Sequence, residues 1–337
     1  MPQKIKVAII GPTGYTGIEL VRILSNHPYV EIACLISRSD AGKCISEVYP
    51  HLKGVCDLPL TDTPLKTVAE KSDVVFLAVP HTESLTIVSQ IMGLTKIIDL
   101  SGDFRLQNTA LYEKYYNHKH SFPKAVRKFI YGFPEINKEK IAVSANVANP
   151  GCFALLSQFA LLPFKDLIRS ANILAVTGSS GSGKTPVPGA HHPVRHHNVK
   201  SYKINIHQHI PEILQTTGIS ETQLNFVPTS GPFTRGIHLT AFLDLKKDFS
   251  QAELENLIKK TYKNQPFVRI KNEVELAAVV GSNFCDLAVY KIEGGALVQG
   301  VFDNLIKGAS GNAIQNFNIM FGFDETESLK ALTPLYV

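Results

Sequence analysis

Residues 4–24 read Lys4-Ile5-Lys6-Val7-Ala8-Ile9-Ile10, then Gly11-Pro12-Thr13-Gly14-Tyr15-Thr16-Gly17, then Ile18-Glu19-Leu20-Val21-Arg22-Ile23-Leu24. The first seven residues predict a buried strand. The last seven carry apolar residues at helical spacing. Between them lies a G-x-x-G-x-x-G turn, whose glycines let the backbone approach a pyrophosphate at a helix N-terminus. Strand, glycine turn and helix in that order predict the start of a dinucleotide-binding α/β domain.

The pattern continues outward from this stretch. Val30–Ile36, Asp73–Pro80 and Thr95–Leu100 are apolar runs of strand length separated by helix-length segments. That alternation predicts a parallel, doubly wound sheet. Ligands bind beyond the C-terminal ends of such strands. His81, Ser101 and Arg105 follow strand ends and are candidates to line a crevice. Arg105 is either an anion clamp or the partner of a nearby acid such as Asp103. Ser37-Arg38-Ser39 ends the second strand, where an arginine flanked by hydroxyls suits the extra phosphate of NADP better than the bare ribose of NAD. A solvated loop arginine is the other reading.

The chain has 337 residues, long enough for two domains with sizeable cores. Its net charge of +5 is not gathered into basic runs and suits an acidic small molecule at least as well as nucleic acid. No apolar run approaches the length of a membrane span, and Met1 leads directly into a strand with no signal-peptide pattern. Five cysteines, an odd number with no CxxC pair, predict free thiols in a reducing, cytoplasmic setting.

Asn149-Pro150-Gly151-Cys152 is the stretch where chemistry is expected. The turn hands over to an apolar run of helix length, so Cys152 falls at a helix N-terminus, where unpaired N–H groups and the helix dipole favour thiolate. The domain boundary is placed here, with residues 1–149 as the nucleotide domain and 150–311 as the second domain. The second domain is expected to be α+β, with a mixed or antiparallel sheet built from strands near 171–177, 223–228, 233–243, 276–280, 287–292 and 296–302. A capping box at Ser250 and Glu253 opens a helix over 251–263. A final helix is expected over 312–321, and the C-terminal segment 312–337 is expected to pack back on the first domain.

Two motifs admit other readings. Gly178-Ser179-Ser180-Gly181-Ser182-Gly183-Lys184-Thr185 matches the phosphate loop of nucleotide hydrolases. Pro188, Gly189 and Pro193 exclude the long helix that loop must open, so the segment is read as a Gly/Ser loop carrying Lys184. Six of the twelve histidines lie within residues 191–209, which raises a metal site. The cluster lacks cysteine and the helical H-x-x-x-H spacing, so acid–base work by His207 or His209 is preferred, with no metal. Glu212, one helical turn past His209, is placed to orient its ring.

With these segments in order, the chain resembles the N-acetyl-gamma-glutamyl-phosphate reductases, a family of the aspartate-semialdehyde dehydrogenase superfamily. The carriers are GPTGYTG at 11–17, DLSGDFRL at 99–106, NPGC at 149–152, HQHIPEI at 207–213 and DNLIKGASGNAIQN at 303–316. The resemblance implies that Cys152 attacks an acyl phosphate and carries a thioester, which NADPH reduces to the semialdehyde. It implies an acid or base from His207 and His209, with His209 preferred. It implies cofactor contacts from Gly11, Pro12, Thr13, Gly14, Tyr15, Thr16, Ser37, Arg38, Ser39 and Asn312. Arg105, Lys184 and Arg235 become candidates for holding phosphate or carboxylate oxygens. A small acyl-phosphate substrate and a homodimer or homotetramer follow, with neither nucleic acid nor membrane as partner. Phe153-Ala154-Leu155 and Gln208 depart from the family pattern. Reductases of N-succinylglutamyl or carrier-linked aminoadipyl phosphate are the nearest alternatives.

Overall fold

The computed structural model describes residues 3–330. The chain divides into two compact units. One holds the residues up to Pro150 and those from Ala309 to the end of the described chain, and the other holds Gly151–Gly308. Pro150 and Gly308 are therefore where the chain leaves and re-enters the first unit.

The first unit contains one sheet. Its strands are β1 (Ile5–Ile10), β2 (Val30–Ile36), β3 (Leu60–Thr61), β4 (Val74–Leu77), β5 (Lys96–Asp99), β6 (Ile130–Tyr131) and β7 (Asn146–Ala148). They lie in the order β3-β2-β1-β4-β5-β7-β6, and every pairing is parallel. Val7, Ala8, Ile9, Val74, Val75, Phe76, Leu77, Ile97 and Ile98 are wholly buried. Parallel strands are covered on both faces, which is why they read as continuous apolar runs. The helix Tyr15–Leu24 buries Leu20, Val21 and Leu24, as its spacing predicts.

The final helix covers Gly311–Met320, and all ten of its residues are buried in this unit, alongside the helix Pro134–Ala142. It ends at Met320, beside the expected 321, while the segment expected to pack back on this unit runs on to 337. Gly322, with a positive φ, follows one residue beyond its C-cap. Residues 331–337 of that expectation lie outside the described residues.

The second unit is built on a mixed sheet. Its strands are β8 (Ile168–Thr177), β9 (Lys200–Ser201), β10 (Leu224–Ser230), β11 (Ile237–Leu245), β12 (Val268–Ile270), β13 (Cys285–Ile292) and β14 (Gly295–Phe302). Their order is β12-β13-β14-β11-β8-β10-β9. The strands β10 and β11, consecutive in the chain, do not pair. Instead β8 separates them, parallel to β10 and antiparallel to β11. The strand expected at 276–280 is a single 3-10 turn, Leu276–Ala278. Leu276 packs against the backbone at Gly236, so that apolar run fills a gap instead of pairing.

Alternation along β8 and β11 separates the two faces of this sheet. Ala171, Ile173, Ala175, Leu239, Ala241 and Leu243 are buried on one face, over which the helix Cys152–Leu161 packs. On the other face Leu174 is 44% exposed and Phe242 48%. Among the described residues no helix is long and apolar enough to cross a membrane.

Candidate active site

In the first unit, β1 turns sharply at Gly11, whose φ is +83°. A Cβ there would lie 2.4 Å from the Ala78 carbonyl oxygen, so only glycine allows this close approach to β4. The helix Tyr15–Leu24 then begins with Gly14 as N-cap, with no side-chain cap and no acidic residue in its first turn. Its N-terminal N–H groups thus keep their positive end for an anion, and the turn fits a pyrophosphate. Tyr49 donates its hydroxyl to the Thr13 carbonyl at 2.8 Å and steadies the turn.

At the end of β2, Ser39 Oγ donates to Asp40 at 3.0 Å, and Ser37 Oγ lies 3.3 Å from Ser39 Oγ. Arg38 is at the surface and meets Asp62 at 3.3 Å. Asp40 is also drawn to Lys43 at 3.2 Å.

Two residues of this unit expected to contact a ligand make internal hydrogen bonds. Arg105 is buried, donating Nε to the Asn149 carbonyl and a terminal nitrogen to the Leu100 carbonyl, each at 2.7 Å. These bonds shape the loop after β5. Asn312 is wholly buried, and its amide donates to the Gly132 carbonyl at 2.7 Å and to Asn149 Oδ1 at 2.8 Å. That side chain positions Asn149. Asn149 in turn donates to the Ala309 carbonyl at 3.0 Å.

In the second unit, Cys152 is the first residue of the helix Cys152–Leu161, with Gly151 as an extended N-cap and no acidic residue in the first turn. The Gly151 N–H donates to Glu212 Oε2 at 2.9 Å. Glu212 is wholly buried and belongs to the helix Ile210–Thr217. Gln158 completes the clamp by donating to the Glu212 carbonyl at 2.9 Å. The expected orienting carboxylate therefore anchors the turn ahead of the cysteine.

His207 and His209 precede that helix and are both buried. Their rings lie 4.7 Å apart, and the His209 N–H donates to His207 Nδ1 at 3.2 Å. Burial, followed by the charges of His209 and Lys203, pushes the His207 imidazole down to about 2, so it is neutral. Phe153 sets its ring edge-on to both histidines, at 5.4 Å and 6.2 Å. The residue that departs from the family pattern thus joins the cysteine helix to the histidine pair.

Sequence reasoning missed Tyr202. Its ring is 6.0 Å from that of His207, and its phenol is pushed up by burial and then by negative charge on Cys152. Arg195 lies within electrostatic reach of Tyr202 and donates to the carbonyls of Gly231 and Thr177 at 2.7 and 2.8 Å. A lone tyrosine in an irregular segment carries no periodic or motif signal that would mark it.

Arg235 is engaged with the wholly buried Asp303, at 2.9 Å through Nε and 3.3 Å through a terminal nitrogen. This ion pair braces the start of β11. Lys184 stands on the exposed stretch 181–189, after Gly183. The residues 178–185 form only a short 3-10 turn, Ser179–Ser182, with no helix behind it, which is incompatible with a nucleotide-hydrolase phosphate loop. Gly308 sits in a π-turn, Ile306–Ser310, and a Cβ on it would lie 2.9 Å from Cys152 Cβ. No cluster of metal-ligand side chains occurs among the described residues.

A glycine cradle at a bare helix N-terminus, together with a helix-N-terminal cysteine beside a histidine pair, defines a nicotinamide-dependent enzyme of the semialdehyde dehydrogenase type. The NAD-binding-domain model of semialdehyde dehydrogenases matches residues 6–144, and the dimerisation-domain model matches 152–304. The fold is shared with aspartate semialdehyde dehydrogenase II of Vibrio cholerae at a TM-score of 0.71 and 15% identity, covering 95% of this chain and 99% of that one. It is shared with the Candida albicans enzyme, solved with NADP, at 0.72 and 14%, covering 94% and 98%.

Closer relatives narrow the family. The N-acetyl-gamma-glutamyl-phosphate reductase of Methanosphaera stadtmanae is 43% identical over 98% of both chains. That of Methanocaldococcus jannaschii is 43% identical over 96% of this chain and 97% of its own. That of Bacillus thuringiensis is 40% identical over 98% and 100%. The chain belongs to the N-acetyl-gamma-glutamyl-phosphate reductase family.

Proposed function

We propose that this protein reduces N-acetyl-gamma-glutamyl phosphate to N-acetylglutamate 5-semialdehyde with release of phosphate, in arginine biosynthesis. The observation that carries this reading is Cys152 at the uncapped start of its helix, with Glu212 holding the preceding N–H and the histidine pair across Phe153. The Cys152 thiolate attacks the acyl carbon, the bond to the phosphate oxygen breaks, and a thioester remains on the sulfur. NADPH supplies the hydride. Its addition to the thioester carbon is followed by cleavage of the carbon–sulfur bond, which frees the semialdehyde and restores the thiolate.

His207 is held neutral and accepts from the backbone N–H of His209, so it positions the pair, and His209 moves the proton at the sulfur. Of the three candidate cations, Lys184 alone lies on an exposed stretch, and it is assigned to the phosphate. Gly11, Pro12, Thr13, Gly14, Tyr15 and Thr16 form the pyrophosphate cradle. Ser37, Arg38 and Ser39 take the phosphate that distinguishes NADP from NAD. The open sheet face carrying Leu174 and Phe242 suits a second copy of the chain, in a homodimer or homotetramer. Five free cysteines accord with a cytoplasmic setting.

The test is the phosphate-dependent oxidation of N-acetylglutamate 5-semialdehyde, followed as NADPH formation. Wild type forms NADPH and Cys152→Ala does not. Full activity in Cys152→Ala, or turnover only with the N-succinyl or aminoadipyl analogue, overturns the reading.

A further inference from the structure

Beyond β5, four buried oxygens lie in a row. Ser101 Oγ is 2.8 Å from Asp99 Oδ2, Ser84 Oγ is 2.7 Å from Ser101 Oγ, and Ser84 Oγ is 2.7 Å from Asp103 Oδ2. None of the four residues is more than 2% exposed. Three short contacts need three hydrogens, and the two serines supply only two. If both carboxylates were ionised, one contact would bring lone pairs together at hydrogen-bond distance in a buried setting.

The missing hydrogen belongs on Asp99. Asp103 accepts the Thr82 N–H at 2.8 and 3.1 Å and the Tyr112 hydroxyl at 2.8 Å in addition to Ser84, which is the environment of an anion. Asp99 Oδ1 accepts only the Ser101 N–H, at 2.9 Å, and its Oδ2 meets only hydroxyls. We propose that Asp99 is the resident acid of a chain Asp99–Ser101–Ser84–Asp103 that shares one proton, and that this proton holds the loop 100–106 in the shape that secures Asn149. The link to Asn149 is direct: the Asn149 N–H donates to the Asp99 carbonyl at 2.7 Å, and Arg105 of the same loop donates to the Asn149 carbonyl. Asp99 is thus a positioning residue for the segment that leads into Cys152.

The surroundings agree with this assignment. Burial, then the Asp103 charge, raises the Asp99 carboxyl to about 7, against smaller opposing effects of Ser101 and Arg105. The helix Glu83–Ile91 offers Ser84, and the flanking strands offer apolar Leu77 and Ala148. Tyr112 is held protonated by burial and by Asp103, so it stays a donor. His120 meets the Asp103 carbonyl at 2.8 Å and is lowered by burial, and His81 accepts the Gly102 N–H at 2.8 Å. A folded-state carboxyl raised above its ordinary value favours folding at low pH. That contribution is lost as pH rises from about 4 to about 7.

Infrared spectra of the protein labelled with carbon-13 aspartate, recorded from about pH 5 to about pH 9, test the chain. Wild type shows a protonated-carboxyl band that disappears around pH 7, and Asp99→Asn lacks it while its melting temperature no longer falls across the lower part of that range. Asp103→Asn removes the neighbouring charge and moves the midpoint down by about one unit or more; this variant decides the matter should Asp99→Asn fail to fold. No such band at any pH, the same band surviving in Asp99→Asn, or an unmoved midpoint in Asp103→Asn overturns the proposal.

Discussion

Gly308 stands against Cys152 so closely that a methyl group on Gly308 would lie 2.9 Å from the Cys152 Cβ and 2.9 Å from the Phe302 ring. The π-turn around Gly308 is therefore shaped to give the cysteine its space, as such turns are at functional sites. Gly308→Ala is expected to cost about 1–3 kcal/mol from overpacking. It should also slow turnover roughly a hundredfold, because the reacting sulfur is displaced. Thermal unfolding and the rate of Cys152 alkylation measure the two effects separately. Wild-type alkylation and turnover in the variant would contradict this reading of the turn.

Glu212 holds the Gly151 N–H in a wholly buried setting. Glu212→Gln keeps an acceptor there but loses the charge, and should retain the fold with activity lowered about tenfold. Glu212→Ala leaves a buried N–H unsatisfied and should lose about 1–3 kcal/mol as well. Denaturant titration beside steady-state kinetics distinguishes them. Equal stability of the two variants would show that the bond does not anchor the turn.

The neutral state of His207 sets a pH dependence. Its folded value lies far below the ordinary 6.5, so its contribution to stability is present above about 6.5 and is lost progressively as pH falls towards about 2. The difference in unfolding free energy between wild type and His207→Asn should shrink as pH falls below about 6.5, whereas other groups cancel in that difference. A gap that stays constant, or grows on acidification, would mean that His207 is protonated in the folded protein.

In the proposed function Arg38 and its flanking serines select NADP over NAD. Arg38→Ala should raise KM for NADPH roughly tenfold or more and leave KM for NADH nearly unchanged, since a bare ribose gains nothing from the guanidinium. Parallel kinetics with the two cofactors check this. Equal losses with both would assign Arg38 to some other role.

The first sheet was legible because strands covered on both faces leave unbroken apolar runs, and the glycine turn at 11–17 announces its own close approach. Short elements were not. Val268–Ile270 is three half-buried residues, with Arg269 at its centre paired to Asp286, and it shows no periodicity. The more apolar run beginning at Leu276 became filler.

At the candidate site, residue type singled out Cys152 and the histidine pair but not the destination of each hydrogen bond. Arg105, Arg235 and Asn312 have the donors of ligand-binding residues, yet those donors meet carbonyls, Asp303 and Asn149 across long sequence separations. Such pairings belong to the fold and leave no local trace. Tyr202 was missed for the same reason.

The bond from Asn149 to the Ala309 carbonyl joins the points where the chain leaves and rejoins the first unit. Residues 151–308 are in this sense a cassette threaded through a single gate, and the gate is closed by backbone and amide groups that remain when the cassette is gone. A short Gly/Ser bridge from Pro150 to Ala309 should suffice to seal it. The cradle, its sheet and the buried final helix would then form a minimal nucleotide-binding protein of about half the length, onto which other catalytic inserts can be grafted at the same two residues.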